Sequence, residues 1–84
     1  MCLFMAMDNK ISTVFGLVLR DLRRQKKLTQ EQLADLSGRD RTYVSLLERG
    51  LRQPTIETLF AFAKALEMSP DKIIKILVER YNEN

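Results

Sequence analysis

The sequence predicts an all-α fold of five helices in a single domain, residues 1–84, and three observations carry that expectation. Glycine and proline are scarce, at three and two residues of 84, so long stretches run without a breaker. Within those stretches apolar residues recur at intervals of three and four, without the alternation that a half-buried strand needs. The stretches open on serine, threonine or aspartate, residues suited to capping a helix. Apolar residues make up 45% and charged residues 30%, the balance of a soluble globular chain rather than a disordered one. No internal repeat, low-complexity segment or second domain is visible.

The elements follow from that punctuation. The opening "MCLFMAM" is apolar but has no basic segment before it, and it falls well short of a signal peptide or of the roughly 20 residues a membrane span requires. Residues 1–11 are expected to form an N-terminal arm, either flexible or docked, with apolar surface on a partner subunit as another possible seat. The first helix is expected from Thr13 to Lys26, with Ser12 as N-cap and Phe15, Val18, Leu19 and Leu22 on its inner face. Its basic end, Arg23 to Lys27, suits the negative pole of the helix dipole, which is a sufficient structural reason for it. The second helix should run from Gln30 to Ser37. Thr29 and Gln32 fit a capping box, Leu28 and Leu33 a hydrophobic staple, and Gly38 a left-handed stop. The third is expected from Arg41 to Arg49, capped by Asp40 and ended by Gly50. The fourth follows Pro54 and Thr55, from Ile56 to Glu67. The fifth starts at Ser69–Pro70, with proline in the first helical position, and ends near Tyr81; residues 68–82 are read as the dimerisation segment.

Composition excludes several classes of function. There is no histidine and one cysteine, Cys2, so neither a zinc site nor an internal disulfide can be assembled. Cys2 reads as a small apolar residue near a terminus rather than a reactive thiol, and suits the reducing cytoplasm. No glycine-rich phosphate loop and no paired carboxylates in a plausible cleft are visible, and the serines and aspartates fall at helix caps. An enzyme is not expected, nor a cofactor, a small-molecule ligand or a membrane association.

Charge points the other way, toward a partner. The formal net charge is +3, and residues 20–52 hold nine basic and five acidic residues against five and six elsewhere. A solvated face is the plainer explanation of a charge run by itself. Here the basic excess coincides with the segment "LTQEQLADLSGRDRTYVSLLERG", two short helices around a glycine. In the second of these, Val44 and Leu47 share one face with Tyr43 flanking, while Arg41, Thr42 and Ser45 share another with Leu46 at its edge. Ala34 is small where two helices at a tight turn would cross closely. This is the pattern of a helix-turn-helix, whose second helix lies in the DNA major groove with its first residues at base edges.

Three stretches in order, "LRDLRRQKKLTQEQLADLSG", "DRTYVSLLERG" and "RQPTIETLFAFAKAL", resemble the phage-repressor-like (XRE-type) helix-turn-helix regulators over about Leu19 to Leu66. Within that family "DRTYVSLLERGLRQPT" most resembles the controller proteins of restriction–modification systems. The resemblance implies a repressor-like DNA-binding domain. It implies that Gln30 contacts a phosphate, that Arg41 and Thr42 reach bases, and that Tyr43 reaches the backbone or an adjacent base. It also implies that Arg49 and Arg52 contact phosphate or base, and that Arg23 and Glu48 form a partly buried ion pair. Two positions depart from the family. Leu46 stands where several relatives place a polar base reader, and Lys27 stands where relatives often carry glycine.

Elementary chemistry supports the same roles and also supplies alternatives. An arginine fork can bond guanine O6 and N7 together, and threonine offers both a hydroxyl and a methyl. Arg41 and Thr42 would otherwise be solvated first-turn residues. Ser45 points equally well to a base or to water, Tyr43 suits packing with a polar tip, and Gln30 suits the capping turn. Arg49 could neutralise a helix end, an explanation that does not extend to Arg52.

Apolar surface on the fifth helix predicts a homodimer. Ile73 and Leu77 are expected to close the core. Ile74, Val78 and Tyr81 form a second stripe, with Ile76 and, on the fourth helix, Phe60 beside it. The function expected is a homodimeric regulator of double-stranded DNA on a near-palindromic operator, controlling its own restriction–modification operon. A phage-type repressor, or an antitoxin-like interaction module that touches DNA secondarily, are the alternatives.

Overall fold

The computed structural model describes residues 10–83, and within them five helices and no strand: α1 Lys10–Gln25, α2 Gln30–Ser37, α3 Arg41–Glu48, α4 Ile56–Ala65 and α5 Pro70–Tyr81. α1 packs against α3 and α5, α2 against α3 and α4, and α4 against α5. The core gathers the inner face of every helix: Phe15, Val18, Leu19 and Leu22 from α1, Leu33 and Ala34 from α2, Val44 and Leu47 from α3, Leu59, Phe62, Ala63 and Leu66 from α4, and Ile73 from α5. These are the periodic apolar positions of the sequence, and their removal from water is the main force closing the bundle.

The first four helices stop in the same way. The chain turns through the left-handed region at Lys27 (φ 59°), Gly38 (69°), Gly50 (77°) and Glu67 (59°). The next amide then reaches back to a carbonyl in the last turn: Leu28 to Arg23 at 3.1 Å, and Arg39 to Ala34, Leu51 to Leu46 and Met68 to Ala63 at 2.9 Å each. This is the Schellman arrangement, which satisfies carbonyls that the helix end leaves open. Two of the four turns use glycine, where the conformation is free of side-chain strain; Lys27 and Glu67 adopt it against their preference.

The boundaries differ from the sequence expectation at four places, the start of α1 and the ends of α1, α3 and α4. α1 begins at Lys10, so Lys10 and Ile11 belong to the helix rather than to an arm, and Ser12 lies buried inside it instead of capping it. Serine is only a few tenths of a kcal/mol worse than alanine within a helix, too little to mark a start when the flanking residues continue the turn. α1 and α3 end one residue early and α4 two, because their last turns tighten into the left-handed stops. Ser69 has the extended backbone of a cap before Pro70 but makes no side-chain capping bond. The "MCLFMAM" segment lies outside the described residues. Among those described, no helix is long and apolar enough to cross a membrane, and no group of acidic or cysteine side chains could hold a metal ion.

Candidate nucleic-acid interface

The turn between α2 and α3 is built from its caps. Thr29 Oγ1 accepts from the Gln32 amide at 3.0 Å while Gln32 Oε1 accepts from the Thr29 amide at 2.8 Å, closing the capping box. Gly38 ends α2, and Asp40, two residues on, accepts from the Thr42 amide at 3.0 Å to start α3. Arg39 lies between them. Its Nε donates to Thr58 Oγ1 at 3.2 Å, and its Nη1 reaches the Ser37 and Gly38 carbonyls at 3.4 Å. Thr58 is buried at the start of α4, so Arg39 ties the turn to the core. Nothing in the composition marked Arg39 for this task, since it reads from sequence as one more basic residue of the segment.

α3 is held from below and free above. Val44 and Leu47 are fully buried, and Ala34 of α2 is buried where the two helices pack. Arg41 and Thr42 stand exposed in the first turn, and Ser45 lies half-buried one turn further along. Tyr43 is half-buried and packed on the core, and Leu46 is half-buried at the edge of the face. Arg49 and Arg52 are exposed beyond the helix end. Arg41, Thr42 and Ser45 thus share the outer side of α3 at helical spacing, with Arg49 and Arg52 continuing beyond it.

Behind this face lies a polar cluster. Arg23 Nε stands 2.6 Å from Glu48 Oε2, and Arg23 Nη2 3.0 Å from Glu48 Oε1, a two-pronged pair joining α1 to the last residue of α3. Hydrogen bonding to Glu48, reinforced by its charge, holds the Arg23 guanidinium protonated beyond its ordinary range despite the opposing effect of burial. Arg23 Nη1 also donates to the Leu28 carbonyl at 2.8 Å. Gln30 is half-buried here, and its Nε2 donates to Glu48 Oε1 at 3.0 Å. Its side chain therefore does more than serve the capping turn. Among the described residues no buried side-chain nitrogen or oxygen lacks a partner.

One contributor has no chemistry of its own. Gly16 sits buried in mid-helix, where an added Cβ would meet the Leu47 carbonyl oxygen at 2.5 Å and that of Glu48 at 2.7 Å. Only glycine lets α1 approach the end of α3 so closely. The sequence held a signal for this: glycine inside an otherwise regular helix loses about 1 kcal/mol against alanine and so implies a packing reason.

On α4 and α5, Phe60 (57% exposed), Ile74 (40%) and Val78 (49%) present apolar surface. Ile76, expected outside with them, instead packs half-buried on the core beside Leu77. α5 offers its core side at Ile73, Ile76 and Leu77, a wider stripe than a two-residue inner face allows. Tyr81 is half-buried, with Lys10 Nζ 4.4 Å from the centre of its ring.

The comparisons with known proteins agree with this architecture. The helix-turn-helix family matches residues 19–73. Control protein C.SmaI of Serratia marcescens is 45% identical over 56 residues, which are 67% of this chain and 67% of that protein. The restriction–modification controller protein C.AhdI from Aeromonas hydrophila is 44% identical and superposes with a TM-score of 0.72, over 74% of this chain and 94% of its own. The controller C.Esp1396I, solved as a tetramer in complex with its natural 35 base-pair operator, is 35% identical with a TM-score of 0.78, over 84% of this chain and 93% of its own. The chain belongs to the helix-turn-helix (XRE-type) family of transcriptional regulators, and within it to the restriction–modification controller type.

Proposed function

We propose that this protein is a cytoplasmic, sequence-specific regulator that binds double-stranded DNA as a homodimer on a near-palindromic operator, and that it controls its own operon together with an adjacent restriction gene. The observation that carries the reading is the outer face of α3: Arg41 and Thr42 exposed at its start, over Val44 and Leu47 fully buried beneath. A helix anchored so firmly, yet carrying hydrogen-bonding side chains outward at its N-terminal turn, has the geometry for base readout in a major groove.

In this reading Arg41, Thr42 and Ser45 contact bases, and Tyr43 supports them from its half-buried position with its hydroxyl toward the backbone or a neighbouring base. Gln30, Arg49 and Arg52 contact phosphates, which fix register without carrying sequence information. Leu46 offers only apolar contact, suited to a thymine methyl. Phe60, Ile74 and Val78 form the centre of the dimer contact, with Tyr81 and the half-buried Ile76 at its margin. A two-fold dimer would set the two α3 faces about 34 Å apart, one turn of DNA. The likeness to C.Esp1396I, whose tetramer was solved on its operator, supports DNA-bound oligomers.

Selection of bound duplexes from random DNA, compared with the sequence upstream of the gene, tests the proposal. A recovered inverted repeat that recurs upstream is the expected result. Recovery of no preferred sequence would overturn it, and a preferred sequence absent from that upstream region would remove the autoregulatory part.

A further inference from the structure

The Arg23–Glu48 pair has a third member, and the order in which the three are fixed has a consequence for DNA binding. Arg23 occupies both oxygens of Glu48 and also bonds the Leu28 carbonyl, so the carboxylate is immobilised from α1. The Glu48 side chain is only 3% exposed. Its Oε1 then accepts from Gln30 Nε2 at 3.0 Å. Gln30 is the first residue of α2, where a half-exposed glutamine would otherwise sample several rotamers. Ordering such a side chain at the moment of association opposes binding. Here it is ordered in advance by a bond from a different helix.

The amide chemistry leaves the contact possible. A primary amide carries two N–H groups; Glu48 engages one, and the other is directed elsewhere around the same nitrogen. A bare carboxylate beside a phosphate would repel it, but Arg23 neutralises this one at 2.6 Å. We propose that Glu48 is a positioning residue for DNA binding: held by Arg23, it orients the Gln30 amide to donate to a backbone phosphate. This rests on the reading that Gln30 meets a phosphate, and it adds that the contact depends on an ion pair that does not touch DNA.

The test uses the tightest duplex recovered from random DNA, with affinity measured on it and on random duplex under the same conditions. Gln30→Ala is made in the native chain and in the variant Arg23→Met/Glu48→Leu, whose apolar pair replaces the buried charges without leaving one alone. In the native background Gln30→Ala should weaken binding roughly tenfold on the selected and the random duplex alike, because a phosphate contact carries no sequence information. In the apolar-pair background, already weakened, it should change affinity less than about threefold on both duplexes. Equal losses in both backgrounds would overturn the positioning role and leave the phosphate contact standing. No loss in the native background would remove the phosphate contact and the inference with it. A second measurement needs no variant: the Gln30 side-chain amide of the DNA-free protein should be rigid on the nanosecond timescale. An order parameter below about 0.6 there would overturn the inference.

Discussion

Arg23 and Glu48 stand 25 residues apart in the chain, yet Arg23 Nε lies 2.6 Å from Glu48 Oε2, with both side chains nearly buried. This contact joins the helix that organises the core to the end of the helix that faces outward. A buried pair of this kind adds little net stability over apolar substitutes, because both charges leave water to form it. Breaking it from one side is a different matter.

Glu48→Ala should destabilise the fold by about 3–5 kcal/mol, since it leaves Arg23 charged and unpaired. The double variant Arg23→Met/Glu48→Leu should be near the native stability or above it. Denaturant unfolding of the native chain and these variants provides the measurement. A double variant as unstable as Glu48→Ala would mean that the loss comes from packing rather than from the stranded charge.

Lys27 turns the chain at φ 59°, a conformation that is strained for a lysine and free for glycine. Lys27→Gly should therefore stabilise the protein by about 0.5–1 kcal/mol, the relief of strain exceeding the added freedom of the unfolded chain. Glu67→Gly should gain less, because Glu67 bonds Lys26 at 3.2 Å across an exposed pair that the change removes. Thermal unfolding of both variants checks the sign and the order.

Ile74 and Val78 are 40% and 49% exposed on α5. Replacing both with lysine should leave a folded monomer with weakened operator binding, because two subunits would no longer be held at one helical turn of DNA. Sedimentation decides between outcomes. Native protein that stays monomeric at micromolar concentration, or a lysine variant that remains dimeric, would place the contact elsewhere.

Most of the fold was legible because local signals agreed with tertiary demand. The Thr29–Gln32 capping box, the Asp40 cap and the Gly38 and Gly50 stops mark their helices with side-chain chemistry that acts over two or three residues. The start of α1 was missed because Ser12 imitates such a cap while its real role is set by burial. Glu67 shows the converse, since its left-handed turn is imposed by packing and carries no glycine to announce it, while at Lys27 only the resemblance to relatives that often carry glycine there marks the strained corner. Of the candidate site, the outward face of α3 follows from periodicity alone. The bond from Gln30 to Glu48 and the anchoring of Arg39 on Thr58 link residues 18 and 19 positions apart, and no local pattern encodes such distances. The period of a single helix places Ile76 outward, but it does not say how wide a stripe the neighbouring helices will cover.

Whether the first turn of α3 reads base sequence is decided by Arg41→Ala. Affinities for the selected operator and for random duplex are measured over one series of salt concentrations, with Arg52→Ala as comparison. Arg41→Ala should lose about 1–3 kcal/mol on the operator for each half-site while keeping weak, salt-sensitive binding to random duplex. Arg52→Ala should weaken both duplexes alike and flatten the salt slope by about one. Unchanged discrimination between operator and random duplex in Arg41→Ala would mean that this turn does not read bases.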